Sequence, residues 1–289
     1  MIEYLLLALM CVLATAKVTV QTKASKSILK DFKDVSLFNC GVFLVIAVVF
    51  SYSLYNSSPV IWLPATICAV LTVTFQLTYT NALSSGSVSL TVMMVNLSIL
   101  IPTLFSVFYY GEELSVFQII GIVFIVGAIF CMTGKEKQAK YNGKWLFFSI
   151  VASLSNSFAN VVLKIFNSSV YAPEREAFIS ASYVIAFVLT AIVFLILSFR
   201  KHEKTEKKSY GKAFLLCVVL VGIILAAFQW TNNYTLSIVD GSIVFPVYSG
   251  GTIILSTLVG VVLFKDKLTK RQFLGICLGL IAVILMNIS

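Results

Sequence analysis

The chain reads FQLTYTNALS over residues 75–84 and FQWTNNYTLS over residues 228–237. Each copy closes a long apolar run, and Phe75, Gln76, Thr78, Leu83 and Ser84 fall on Phe228, Gln229, Thr231, Leu236 and Ser237 at one offset of 153 residues. The correspondence continues downstream. Gly86 falls on Gly241 with two residues inserted, and GEELSVFQIIGIVFIVGAIFCM (111–132) matches FKDKLTKRQFLGICLGLIAVILM (264–286) at an offset of 154. There Glu112 meets Asp266, Leu114 meets Leu268, Gln118 meets Gln272, Gly121 meets Gly275, Ala128 meets Ala282 and Met132 meets Met286. A drift of at most two residues over about sixty is too regular for chance apolar similarity, so the chain reads as two copies of one unit.

The 289 residues are 59% hydrophobic and 11% charged, and the mean hydropathy of +0.99 excludes an ordinary water-soluble core. A membrane-crossing helix needs about 20 mostly apolar residues. Ten such stretches are present, at 4–21, 36–55, 60–83, 87–109, 114–133, 144–166, 176–199, 211–235, 240–264 and 270–288. The first lacks the basic start and small-residue cleavage site of a signal peptide and is read as helix 1. The expected fold is therefore all-α and integral to the membrane, with ten transmembrane helices in two five-helix repeats, residues 1–134 and 144–289. Five is odd, so the second unit is expected to cross the membrane upside down relative to the first. Transporters built as inverted repeats hold substrate near the bilayer midplane and alternate access by rocking one unit against the other.

The formal charge of +9 is a matter of topology. Nineteen of the 21 basic residues fall between helices 1 and 2, 5 and 6, 7 and 8, or 9 and 10, or beside those connections, leaving Lys164 and Arg175 for the other side. The positive-inside rule makes the Lys-rich side cytoplasmic, with both termini extracytoplasmic in the cell membrane. Basic loops against anionic lipid account for the charge without nucleic acid. The six cysteines lie within apolar spans with no CxxC pair, and His202, the one histidine, sits in a run of charges, so no metal site is expected.

A proline in helix 4, followed by G-E-x-L-x-x-x-Q-x-x-G and its second-half copy F-K-D-K-L-x-x-x-Q-x-x-G, resembles the drug/metabolite transporter superfamily and, within it, the ten-helix EamA-like permeases. The stretch FPVYSGGTIILSTLVGVVLFKD (245–266) also looks like helix 3 of the four-helix small multidrug resistance proteins of that superfamily. The resemblance covers essentially the full length and implies a basket of ten helices around a central cavity, exporting or exchanging small metabolites. One departure matters. Those multidrug proteins carry a glutamate in helix 1, where helices 1 and 6 of this chain offer Ala14, Thr15, Asn156 and Asn160.

Polar groups inside spans face helix partners or a cavity, because lipid cannot satisfy them. The candidates for substrate contact are Gln76, Tyr79, Asn96, Asn156, Asn160, Gln229, Trp230, Asn232, Asn233 and Tyr248; Gln229, Asn232 and Asn233 share one helical stripe at i, i+3 and i+4, beside Trp230. Each also fits interhelical hydrogen bonding that only holds the bundle. Asn96, with Pro102 six residues on, predicts a kinked helix 4 facing the cavity. Lys17 is a candidate charge in the pathway, or a lysine that snorkels to the cytoplasmic end one turn away.

All twelve acids lie at helix ends or in loops, which disfavours proton coupling through an embedded carboxylate. Glu112 and Asp266 read as acids near helix N-termini. The expected function is permeation or export of small neutral or zwitterionic metabolites such as amino acids, by alternating access, through facilitated diffusion or exchange. The alternatives are a lipid-carrier flippase of the same fold, a proton-coupled multidrug exporter, or a membrane scaffold. Partners are the solute and membrane lipid, with the chain a monomer or homodimer. No cofactor is expected, and no HExxH, GxSxG or glycine-rich nucleotide loop indicates an enzyme.

Overall fold

A computed structural model describes residues 2–55, 57–110, 115–133, 143–200, 211–238 and 241–285. Among these residues there is no strand, and the elements are α1 (Ile2–Ser27), α2 (Phe32–Phe50), α3 (Trp62–Ser85), α4 (Val88–Asn96), α5 (Leu100–Tyr110), α6 (Val116–Thr133), α7 (Gly143–Asn167), α8 (Arg175–Arg200), α9 (Lys212–Ile238), α10 (Gly241–Val262) and α11 (Lys270–Leu285). α4 and α5 are joined by a single 3-10 turn, Leu97–Ile99, so the eleven α-helices correspond in order to the ten apolar stretches. Six helices among the described residues are long and apolar enough to cross a membrane: Glu3–Ser27, Phe32–Leu54, Pro59–Ser85, Gly143–Phe166, Ala172–Phe199 and Lys212–Asn232. In hydrocarbon every backbone group must be satisfied within the segment, which is why apolar runs rich in Val and Ile still fold as helices.

The first helix runs six residues past the expected end at Gln21, to Ser27. Gln21, Thr22 and Ser25 are buried there, so the extension is sheltered by protein. Helix starts carry chemical caps. The Asp34 carboxylate accepts from the Lys30 and Asp31 backbone N–H groups at 3.0 and 3.4 Å, opening α2. Thr269 and Gln272 form a reciprocal capping box ahead of α11, with the Thr269 N–H donating to Gln272 Oε1 at 3.0 Å and the Gln272 N–H to Thr269 Oγ1 at 3.2 Å. The repeated glutamine of the second half is thus a cap. Ser115 precedes α6 in the same S/T-x-x-Q pattern, whereas Glu112 and the Gln118 side chain lie outside the described residues.

The main packing joins the first half of the chain to the second: α1 lies on α9 and α10, α2 on α8 and α9, α3 on α7 and α8, α4 on α10 and α6 on α11. Contacts in register give the directions. α1 and α3 run the same way, with Lys17 meeting Gln76 and Gln21 meeting Thr80. α2 and α9 also run the same way, because a Cβ on Gly41 would stand 2.6 Å from Val218 and one on Gly222 would stand 2.6 Å from Val45. α2 and α8 are opposed, with Phe43 beside Tyr183 and Lys33 over Phe194. α3 and α7 are opposed as well, since Gly86 at the end of α3 abuts Trp145 at the start of α7.

Two acids of the second half close helix ends in the first. Asp266 accepts from Ser87 Oγ at 2.8 Å, the Ser89 N–H at 3.0 Å and Ser89 Oγ at 3.1 Å, at the N-terminus of α4. It does serve a helix start, as an acid near the positive end of a helix dipole should, but that helix is α4, not its own. Beyond the opposite end of α3, Glu174 accepts from the Ser58 N–H at 2.7 Å and from the Ser58 hydroxyl, and Tyr52 donates to Glu176 at 3.1 Å.

Candidate functional site

Lys17 lies ten residues short of the α1 C-terminus, about 15 Å along the axis at 1.5 Å per residue, too deep for snorkelling to that end. Its ammonium instead turns toward α3. Lys17 Nζ donates to Gln76 Oε1 at 3.4 Å and lies 5.9 Å from the Phe75 ring centroid and 5.6 Å from that of Tyr79. Phe75 and Tyr79, one turn apart on α3, stack at 5.3 Å and present two π faces to the cation. Gln76 is 2% exposed, and its Nε2 has no hydrogen-bond partner among the described residues. Oxygen is the end of the amide that faces the ammonium, since two donors would repel, and this leaves the NH2 as the unspent group.

Around this pair the two halves of the chain meet. Tyr79 is packed with Val18 of α1, Val88 and Val92 of α4 and Ala152 of α7. Tyr248 of α10 packs its ring on Phe228 of α9 at 5.3 Å, and its backbone carbonyl accepts from Cys11 Sγ of α1 at 3.9 Å. Leu7 and Met10 of α1 close that end of the cluster. Thus Lys17, Gln76 and Tyr79, three candidates from two helices, are brought together, and Tyr248 packs further along α1 beside Leu7 and Met10.

The other candidates are dispersed. Asn156 donates to Ser98 Oγ at 2.8 Å, and Asn96 donates back to the Val92 carbonyl of its own helix at 2.8 Å. The kink expected in helix 4 is the 3-10 turn at Leu97–Ile99. Its cause is local: Pro102 has no N–H to offer the carbonyl of Ser98, four residues back. The Ser157 hydroxyl of α7 stands in that place, 2.9 Å from Ser98 O, and shares its one proton between that carbonyl and Ser153 O of its own helix at 2.8 Å. Gln229, the counterpart of Gln76, is partly exposed and donates to the Tyr183 hydroxyl of α8 at 3.0 Å. Trp230 is 55% exposed and stacks on Tyr234 at the end of an outward stripe with Leu216, Leu220 and Ile223. Asn160 is also exposed, Asn232 is half-buried, and the Asn233 side chain lies outside those described. The repeated threonines bond back within their own helices, Thr78 to Thr74 O at 2.6 Å and Thr231 to Ala227 O at 2.8 Å.

A further polar group went unread in the sequence. Gln21 donates to Thr80 Oγ1 at 2.7 Å, Asn39 donates to the same oxygen at 3.3 Å, and all three side chains are fully buried one turn beyond Lys17 and Gln76. Gln21 is the last residue of the first apolar stretch, 4–21. Asn39 sits only a few residues into its span. What marks them is that they are uncharged amides in otherwise apolar segments, the same signal that identified Gln76.

With ten apolar segments in one interlocked bundle, the chain is a multi-pass membrane protein. It belongs to the EamA-like transporter family, which matches it twice, over residues 2–134 and 143–288. The chain is similar, at 28% identity over 191 residues, to an uncharacterized protein of Haemophilus influenzae, the match covering 65% of this chain and 62% of that relative's length. It is also similar, at 22% identity over 214 residues, to an uncharacterized transporter of Archaeoglobus fulgidus, covering 73% of this chain and 70% of that one. A solved crystal structure shares the fold at a TM-score of 0.62 and 16% identity, spanning 98% of this chain and 96% of the other. The family points to a transporter rather than an enzyme.

Proposed function

We propose that this protein carries small neutral or zwitterionic metabolites, amino acids among them, across the cell membrane by alternating access of two inverted units, 1–134 and 144–289. The observation that carries the reading is the cluster of Lys17, Gln76 and Tyr79, polar and aromatic groups from α1 and α3 gathered where both helices pack on the second half of the chain. In an inverted-repeat transporter that is where a solute is expected.

The packing supports the inverted arrangement. Exchange the two units, taking α4 and α5 as one span, and each principal contact between the halves maps onto another: α1·α9 onto α3·α7, α2·α9 onto α3·α8 and α1·α10 onto α4·α7, while α2·α8, α4·α10 and α6·α11 map onto themselves. The directions agree, because α1 runs with α3 and α3 runs against α7, so the first helices of the two units are opposed. The segregation of Lys and Arg supports a cytoplasmic position for the basic connections. Movement down a gradient or by exchange is the simpler mechanism, since the acids of the sequence fall at helix ends or in connections and not at mid-span, where one could carry a proton.

The test is uptake and efflux of labelled amino acids by proteoliposomes at zero and at imposed pH gradient. Flux at zero gradient is expected. Failure to carry any neutral or zwitterionic solute would refute the substrate class, and strict dependence on the pH gradient would refute uncoupled transport.

A further inference from the structure

Resting on that transport reading, the charge balance around Lys17 narrows the solute. The ammonium is well inside its helix, turned to α3, and it has no acid partner among the described residues, the twelve acids of the sequence falling at helix ends or in connections. A charge out of water is costly unless paired. What Lys17 has is one long hydrogen bond to a neutral amide and two aromatic faces, which offset only part of that cost. Meanwhile the bond it makes orients Gln76, whose buried Nε2 is left as a donor without an acceptor. Because the two ends of an amide are joined through one carbon, the Lys17 and Gln76 nitrogens are at most roughly 5–6 Å apart. Two donors at that spacing, carrying one positive charge between them, match the two oxygens and single charge of a carboxylate. A phosphate dianion would leave a net negative charge in the same low-dielectric surroundings.

We propose that Lys17 and Gln76 are the carboxylate-recognition pair of the transport site, so that the solutes carried are those bearing a carboxylate, as zwitterionic amino acids or as simple monocarboxylates. In the absence of solute, Gln76 Oε1 and the faces of Phe75 and Tyr79 hold the ammonium. On binding, the carboxylate takes one oxygen to Lys17 Nζ and the other to Gln76 Nε2, and the part-buried charge is neutralised. The pairing belongs to the first half alone, because the counterpart Gln229 spends its NH2 on Tyr183.

The experiment is counterflow in proteoliposomes of the full chain, comparing four probes: a labelled amino-acid mixture, the monocarboxylates obtained from it by removing the amino group, the amines obtained by removing the carboxyl group, and inorganic phosphate. Carboxylate-bearing probes are expected to be carried, amines and phosphate not, and the ratio of the first two probes tells zwitterion from lone acid. Lys17→Met should raise the half-saturating concentration for carboxylates roughly ten- to hundredfold, the scale of one charged hydrogen bond, and Lys17→Arg should restore most of it. Lys17→Met can fail to fold, so Gln76→Glu provides an independent readout. Its carboxylate supplies the missing anion internally, and it is expected to abolish carboxylate flux while melting no lower than the parent. Amines or phosphate carried as well as acids, carboxylate flux indifferent to Lys17→Met, or a well-folded Gln76→Glu with full flux would each overturn the pairing and leave the transport reading standing. No flux of any probe in the parent chain would overturn both.

Discussion

At the scale of single residues, Pro102 has the clearest consequence. It withdraws one N–H from the helix, and the chain answers with a hydroxyl from another helix, Ser157, on the Ser98 carbonyl. Ser157→Ala should therefore cost about 1 kcal/mol of stability, the upper part of the range for hydrogen bonds between membrane helices. Pro102→Ala supplies the missing N–H, so the cost of Ser157→Ala should shrink toward zero in that background. Unfolding of the four variants in detergent gives the coupling directly, and equal costs in both backgrounds would show that the hydroxyl is no substitute for the N–H. Gln76 and Gln229 make a second point at this scale. Two residues with the same neighbours in sequence have different partners, an ammonium in one case and a phenol in the other.

At the scale of elements, the α2–α9 crossing is a reciprocal fit. Gly41 receives Val218 and Gly222 receives Val45, four residues on along each helix, which lets the two backbones approach closely. Gly222→Ala puts its Cβ into Val45 and should cost about 1–3 kcal/mol by overpacking. Adding Val45→Ala should recover more than half of that loss in a thermal melt. The cap on α4 is a separate element-level contact. Gly260 leaves room for Asp266 to reach Ser87 and Ser89, since a Cβ there would fall on Ser89 and on the carboxylate itself. Asp266→Asn should lower stability by about 1 kcal/mol and Asp266→Ala by about 2, the range for losing a helix N-cap. A loss confined to the charge, with Asn behaving like Ala, would assign the effect to the helix dipole rather than to the hydrogen bonds.

At the scale of the whole molecule, the acid contacts at the two ends of α3 tie the connections together. Residues 51–61 and 168–174 meet at one end, and residues 86–87 and 263–269 meet at the other. In the proposed topology these ends face opposite sides of the membrane. With the six native cysteines replaced, cysteines introduced at the exposed Tyr55 and Val170 should react with an impermeant maleimide from one side of sealed vesicles, and one at the exposed Lys267 from the other. Labelling of all three from the same side would break the ten-span arrangement.

Much of this was legible in the sequence because it rests on local physics. Apolar runs of about 20 residues define spans whatever surrounds them, the T-x-x-Q box before α11 is written in four consecutive residues, and the period of the repeat and the segregation of Lys and Arg are properties of the chain itself. Pro102 and Asn96 correctly announced a break in helix 4. What the sequence could not decide is how each helix is rotated. In water an amphipathic stripe marks the buried face, but lipid is as apolar as a protein core, so periodicity does not separate inside from outside. For that reason the sequence could not tell that Trp230 and Asn160 are exposed in the fold while Gln21 and Asn39 are buried together on Thr80. Only the packing of α1 against α3 could turn Lys17 away from its helix end and onto Gln76.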